Sequence, residues 1–225
     1  SSELLLWKDI FLYQGDRLKA NAAKRQLISP EQINQTISDF AALPQSRKQF
    51  FRFVETVVSK LLDQFHNSDF DEAKGYRKKK PSDTNSRDEQ DFRNWLAARL
   101  HEANPSVFIV TREGEVAEAN RYDIRLTARD PSLGNISIEI KLADRKHWTA
   151  EVLADTVKSQ LHDQYMRQHE SHSGILVLVN CLGEQFSKPY GDTVLQFDDV
   201  LKLARTEAVA LSSDSKFVSV LGISL

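Results

Sequence analysis

The 225-residue chain holds a single cysteine, Cys181, and a single methionine, Met166. One cysteine excludes an internal disulfide framework and suits a reducing, cytoplasmic setting. No run approaches the roughly 18 apolar residues that span a bilayer, and the start has no signal-peptide apolar region, so no membrane partner is expected. Internal repeats and a glycine-rich phosphate loop of the G-x-x-x-x-G-K-[ST] type are also missing. Nor is there an excess of positive charge: 30 Lys and Arg against 32 Asp and Glu give a net charge of −2. Any contact with nucleic acid must therefore come from a local basic surface. The chain begins Ser1-Ser2 without methionine, which reads as a piece excised from a longer protein.

What is present is the composition of a folded soluble chain, 40% apolar and 28% charged. The length allows one good-sized domain with an appendage, or two small ones. Residues 1–65 read as helical. Leu4, Leu5, Trp7, Phe11 and Leu12 recur at helical spacing, Ser29-Pro30-Glu31-Gln32 is a helix-start signal, and Phe50 to Leu62 forms a strongly apolar third segment. Residues 66–86 turn polar and basic, through Arg77-Lys78-Lys79-Lys80-Pro81, as in a linker or exposed loop. A domain of mixed pattern is expected over 87–225. Ser86-Arg87-Asp88-Glu89 matches a capping box that opens a helix through Phe92, Trp95, Leu96 and Leu100. Val107–Val110 reads as a strand, Thr149–Gln168 as an amphipathic helix, and Gly174–Asn180 as a buried strand. A helix over Phe197–Ala210 and a last strand over Phe217–Ile223 complete the pattern.

The chemistry concentrates between Arg121 and Ala143. In Ile136-Ser137-Ile138-Glu139-Ile140-Lys141-Leu142, the apolar residues alternate with Glu139 and Lys141, which share the opposite face. In Tyr122-Asp123-Ile124-Arg125-Leu126-Thr127, Asp123 lies on the face away from Tyr122, Ile124 and Leu126. The turn formers from Arg129 to Asn135 join the two as a hairpin, and matched apolar faces put Asp123 opposite Glu139 or Lys141. Two carboxylates and an amine then meet on one patch. The alternative is an amphipathic hairpin whose polar face meets water. A carboxylate-x-lysine triplet by itself decides nothing, since Glu72, Asp144 and Asp214 each begin another. Only Glu139-Ile140-Lys141 lies in a strand pattern with an acid on a plausible partner strand.

The αβββαβ order, with Asp123 on the second strand and Glu139-x-Lys141 on the third, resembles the PD-(D/E)xK nuclease superfamily and its RecB-like subgroup. The likeness covers roughly residues 87–180. Tyr122 stands where the family signature has proline. Ser159-Gln160-Leu161-His162-Asp163-Gln164-Tyr165 is similar to the glutamine-bearing helix, with the Gln160-to-Tyr165 spacing one residue longer than the family's. The resemblance implies an α/β fold: a restriction-endonuclease-like core with a mixed central sheet flanked by helices, preceded by an all-α segment that ends an earlier module or docks to one. It implies a Mg²⁺-dependent endonuclease, with Mn²⁺ as a possible substitute, hydrolysing phosphodiester bonds in double-stranded DNA. By analogy the chain would be the C-terminal effector of a larger prokaryotic antiviral-defence or restriction protein, working with further domains or partner subunits; a homo-oligomer is compatible with the same analogy.

Asp123, Glu139 and the backbone carbonyl of Ile140 are then the expected metal ligands, with Lys141 to handle water or phosphate. Mg²⁺ suits the task because it is hard, prefers oxygen ligands and lowers the pKa of a bound water. Glu89 is a fourth ligand candidate whose alternative is capping the Ser86 backbone. Gln160 and Gln164 would position the nucleophile or the DNA backbone; their alternative is the polar edge of a helix. Lys78, Lys79 and Lys80 would neutralise phosphates, or simply be a solvated run. Glu113 and Glu115 read as solvated, and His169-Glu170-Ser171-His172 lacks the third ligand of a zinc site. A catalytically inactive module of the same fold, used for nucleic-acid binding or assembly, is the competing function.

Overall fold

The helix nearest the start of the described chain is α1, Arg47–Asn67. The computed structural model describes residues 43–67, 73, 76, 88–103, 106–115, 121–144, 148–167, 171–181, 186–187 and 194–225. The helices expected before residue 43 and the basic run Lys78, Lys79 and Lys80 lie outside these residues. Phe50, Phe51, Val54, Val58, Leu61, Leu62 and Phe65 of α1 recur every three or four residues and are all buried. This stripe packs on the sheet, where Phe51 stacks on Phe217 with ring centroids 5.7 Å apart. Residues Pro44–Leu225 accordingly form one compact unit, with α1 inside it.

The second helix, α2, spans Glu89–Ala103. Its capping box lies two residues beyond the expected one: Asp88 Oδ1 accepts the Asp91 N–H at 3.0 Å, and Asp91 Oδ2 accepts the Asp88 N–H at 3.2 Å. Ser86 is outside the described residues. Moving the cap to Asp91 leaves the Glu89 carboxylate available for another task. Between α1 and α2, Tyr76 is buried in an aromatic cluster with Phe65 and Phe92 at centroid distances of 5.6 and 5.8 Å. Part of the polar 66–86 stretch is thus anchored in the core.

Five strands make the main sheet in the order β1-β2-β3-β4-β7: β1 Phe108–Glu115, β2 Arg121–Ala128, β3 Asn135–Leu142, β4 Ser171–Asn180 and β7 Phe217–Ser224. The pairs β1–β2 and β2–β3 are antiparallel, whereas β3–β4 and β4–β7 are parallel. Parallel neighbours need crossovers, and helices supply them. Between β3 and β4 the chain forms α3, Ala150–Thr156, which widens into a π-helical turn over Val157–His162 and ends in a 3₁₀ turn at Tyr165–Arg167. Between β4 and β7 it forms α4, Phe197–Leu211. The short β5, Phe186–Ser187, and β6, Val194–Leu195, pair separately. The molecule is therefore α/β, with a five-stranded mixed sheet flanked by helices. Among the described residues, no helix is long and apolar enough to cross a membrane.

The β2–β3 connection is a 3₁₀ turn, Pro131–Leu133. Asp130 caps it by accepting the Ser132 N–H at 2.9 Å, and Gly134 closes it at φ 75°, a conformation that costs a side chain strain. That turn sets the register Ile124↔Ile138, Leu126↔Ile136. An apolar cluster lies between the sheet and the α3–α4 layer, built from Leu153, Val157, Leu161, Tyr165, Leu176, Leu178, Val200 and their neighbours.

Candidate active site

The polar side of β3 does not meet water. All eight residues of the strand are buried, with Glu139 only 3% and Lys141 only 7% exposed. Glu139 registers with Leu176 and Lys141 with Leu178 on parallel β4, so both side chains project toward the face that packs on α3 and α4. A buried ion is costly unless it is paired and hydrogen-bonded, and the pairing is complete. Lys141 Nζ donates to Glu139 Oε1. The Tyr165 hydroxyl donates to Glu139 Oε2 at 2.9 Å. Glu89 Oε1 lies 3.8 Å from Lys141 Nζ, while its Oε2 accepts the Leu142 N–H at 3.4 Å.

Asp123 sits where β2 and β3 part. Their paired residues reach Ile124↔Ile138, and at the next step the Asp123 side chain takes over from the ladder, its Oδ2 accepting the Ile140 N–H at 2.8 Å. Its Oδ1 accepts from Arg93 Nη1 of α2 at 3.2 Å, in a pair only 13% and 14% exposed. The turn chemistry at Gly134 and the pleat of β3 thus deliver Asp123, Glu139, Ile140 and Lys141 to one place. The N-terminal half of α2 adds Glu89 and Arg93.

Electrostatics follow from that crowding. Burial pushes the Glu139 carboxyl up to about 7, helped by the nearby Asp123 charge, while Lys141 and the Tyr165 hydroxyl oppose the rise. Burial acts to lower the Lys141 pKa, but the carboxylates of Glu139 and Glu89 outweigh it and hold the ammonium above its usual range. Tyr165 is also raised, through burial and then the Glu139 charge, so its hydroxyl stays a proton donor.

As a site for a divalent cation, the donor set is all hard oxygen: Asp123, Glu139, Glu89 and the Ile140 carbonyl fit Mg²⁺ better than a softer ion. Burial raises Glu139 most, and the repulsion from Asp123 that adds to it is one a cation relieves. Among the described residues no three His, Cys, Asp or Glu side chains are clustered closely enough to make a metal cage by themselves. Every oxygen of Asp123 and Glu139 already has a protein donor.

The remaining expected residues are placed differently. Gln160 lies in the π-helical turn, half-buried, with Oε1 buried and without a hydrogen-bond partner. Gln164 is half-buried in the turn that follows. No hydrogen bond among the described residues ties either glutamine to the charged cluster. The side chains of Glu113 and Glu115, and residues His169 and Glu170, fall outside the described set. Trp95 packs against Phe65 and Phe92, Trp148 against the α3–α4 cluster, and Cys181 is buried.

Two contributors escape a sequence reading. Tyr165 looks like one more apolar position on an amphipathic helix, yet it holds Glu139. Arg93 carries no motif; its only signal is the spacing of four from Glu89, which puts both on one helix face. Comparison with family models, with curated proteins and with solved structures finds no match to this chain.

Proposed function

We propose that the chain is a divalent-metal-dependent nuclease with a PD-(D/E)xK, restriction-endonuclease-like fold, acting on DNA. The observation that carries this reading is the burial of Glu139 and Lys141 against Asp123 and Glu89. A solvated hairpin face would leave these groups exposed, and a merely structural strand would not bury a carboxylate and an ammonium beside two further, partly buried carboxylates. Two further features support it. The order of a helix, three antiparallel strands, a helix and a parallel strand is that of the superfamily core. The π-helical turn, in which the Asp163 N–H reaches back five residues to the Lys158 carbonyl at 2.8 Å, also takes up one residue more than an α-turn. That is the excess in the Gln160-to-Tyr165 spacing.

In this reading Asp123 and Glu139, with the Ile140 carbonyl, hold Mg²⁺ or Mn²⁺, and Glu89 adds a further oxygen. When bound, the ion stabilises charge on the phosphoryl group and makes hydroxide available near neutral pH. The protein's own parts do the rest. The Ile140 N–H fixes the rotamer of Asp123, and Tyr165 fixes that of Glu139. Lys141, held protonated by its neighbours, stabilises negative charge on the phosphate or orients the attacking water. Gln160, with an unsatisfied amide oxygen, is available to position water or backbone, and Gln164 with Lys78, Lys79 and Lys80 to contact phosphates. A place in a larger cytoplasmic defence protein is the context this activity suggests.

Supercoiled plasmid incubated with Mg²⁺ tests the reading. Wild type should nick or linearise it, and Asp123→Asn and Lys141→Ala should each lose about a thousandfold in rate. Equal cleavage by all three proteins would sink the assignment. One observation favours the second reading, a non-catalytic binding module: both carboxylates are fully occupied by protein donors. Such a module would hold duplex DNA without metal and release it steeply with salt.

A further inference from the structure

We propose that Arg93 is a resident counter-ion of Asp123 that a divalent cation must displace, so that the site restrains its own metal loading until a phosphate takes the guanidinium. The inference rests on the metal-site reading above and adds a regulating residue to it. Glu89 and Arg93 are four residues apart on α2 and reach the same cluster, one toward Lys141 and the other toward Asp123. Three carboxylates (Glu89, Asp123 and Glu139) then face two cations, Lys141 and Arg93. The cluster is close to neutral before any metal arrives.

Geometry decides which contact gives way. Asp123 Oδ2 is pinned by the Ile140 backbone N–H at 2.8 Å, so Oδ1, the oxygen facing Arg93 at 3.2 Å, cannot turn elsewhere. Glu139 is held likewise by Tyr165, and Lys141 sits between Glu139 and Glu89. Arg93 is the cation at the end of a long side chain from a neighbouring helix, joined to the Asp123 carboxylate through one nitrogen. A divalent ion on Oδ1 and a guanidinium 3.2 Å from the same atom repel each other in a poorly solvated site. The planar guanidinium, once released, is the side-chain group best matched to a phosphate. Metal and nucleic-acid backbone should therefore bind with positive coupling, because each relieves what the other requires of Arg93.

Calorimetric titration of the whole chain with Mn²⁺ at fixed ionic strength tests this, with a short phosphorothioate duplex present or absent and thermal melts as the control on folding. Arg93→Met should bind Mn²⁺ about tenfold more tightly than wild type. The duplex should tighten Mn²⁺ binding to wild type and leave Arg93→Met unchanged. Arg93→Lys, which keeps the charge and loses the fork, should fall between them and serves if the Met variant does not fold. If wild type binds Mn²⁺ and the Arg93 variants bind it no more tightly, the counter-ion role fails while the metal site stands. If neither wild type nor any Arg93 variant binds Mn²⁺, both fail. A merely structural Arg93 would lower the melting temperature without changing Mn²⁺ affinity, which also overturns the proposal.

Discussion

Strands β3 and β7 are each eight residues long, belong to one sheet and alternate in side-chain direction, yet they invert the usual relation between charge and burial. β3, Asn-Ile-Ser-Ile-Glu-Ile-Lys-Leu, carries two ions and is buried throughout. β7, Phe-Val-Ser-Val-Leu-Gly-Ile-Ser, carries none and is mostly half-buried at the sheet edge. Water would solvate Glu139 and Lys141 better than protein does, so keeping them inside needs compensation from several directions. Lys141 and Tyr165 supply it to Glu139, and Glu139 and Glu89 supply it to Lys141, with the Leu142 amide holding Glu89. β7 needs none of this, and its position follows from apolar packing on α1 and α4. The contrast teaches that β3 keeps its charges inside only through a network of partners, whereas β7 is placed by apolar packing alone.

The sharpest way to break this contrast is to unbalance β3. Lys141→Met leaves Glu139 buried without its ammonium and should cost about 3–5 kcal/mol at pH 8. Adding Glu139→Gln to it should restore much of that loss. Urea unfolding of the single and double variants checks both, and a Lys141→Met protein as stable as wild type would mean the β3 charges are effectively solvated.

A smaller effect should appear in pH dependence. Glu139 titrates near 4.5 in the unfolded chain and near 7 in the folded one. Between these values the folded state binds more protons than the unfolded state, so stability falls as pH rises through the window. The full cost, roughly 3 kcal/mol, is reached above pH 7. Lys141 acts in the other direction: its raised pKa contributes stability at all lower pH, lost only as pH climbs past the ammonium's own titration. Unfolding free energies of wild type and Glu139→Gln at pH 4.5, 6 and 8 should converge at the acid end and separate at the alkaline end. Parallel curves would contradict the assignment.

Tyr165→Phe removes one hydrogen bond to a buried carboxylate and should cost about 1.5–2 kcal/mol. It should also raise the Glu139 pKa further, since the phenol now helps to hold the ion. Carboxyl-carbon NMR titration reads that shift directly, and an unmoved Glu139 would remove Tyr165 from the site. The smallest effect belongs to β7. The Ser219 hydroxyl is buried without a hydrogen-bond partner, so Ser219→Ala should be neutral or stabilising by up to about 1 kcal/mol. Destabilisation in a thermal melt would show that β7 holds polar contacts of its own.

Period and parity made much of this legible beforehand. The alternation in 122–127 and 136–142, the apolar run at 174–180 and the helix near 197–210 each mark an element that forms with nearly those bounds. The pairing of Asp123 with the Glu139 strand follows from the same alternation. Other features depended on competition between neighbouring residues. Two overlapping capping signatures, Ser86/Glu89 and Asp88/Asp91, are present at the start of α2, and the second caps the helix. The helix expected over 149–168 changes character at Val157, where Leu161 packs against Gly174 so closely that a Cβ there would lie 3.2 Å away. Local periodicity contains no information about that approach.

Sequence by itself determined which residues carry charge on which face of each strand, because side-chain parity is a property of the backbone. It also determined that Asp123, Glu139 and Lys141 belong to neighbouring strands. Only the tertiary structure decided that their shared face is inside the protein, that Tyr165 and Arg93 are their partners, and that Glu89 turns to Lys141 instead of capping its helix. Burial is set by what other segments bring to a surface. No strand pattern states what will cover it.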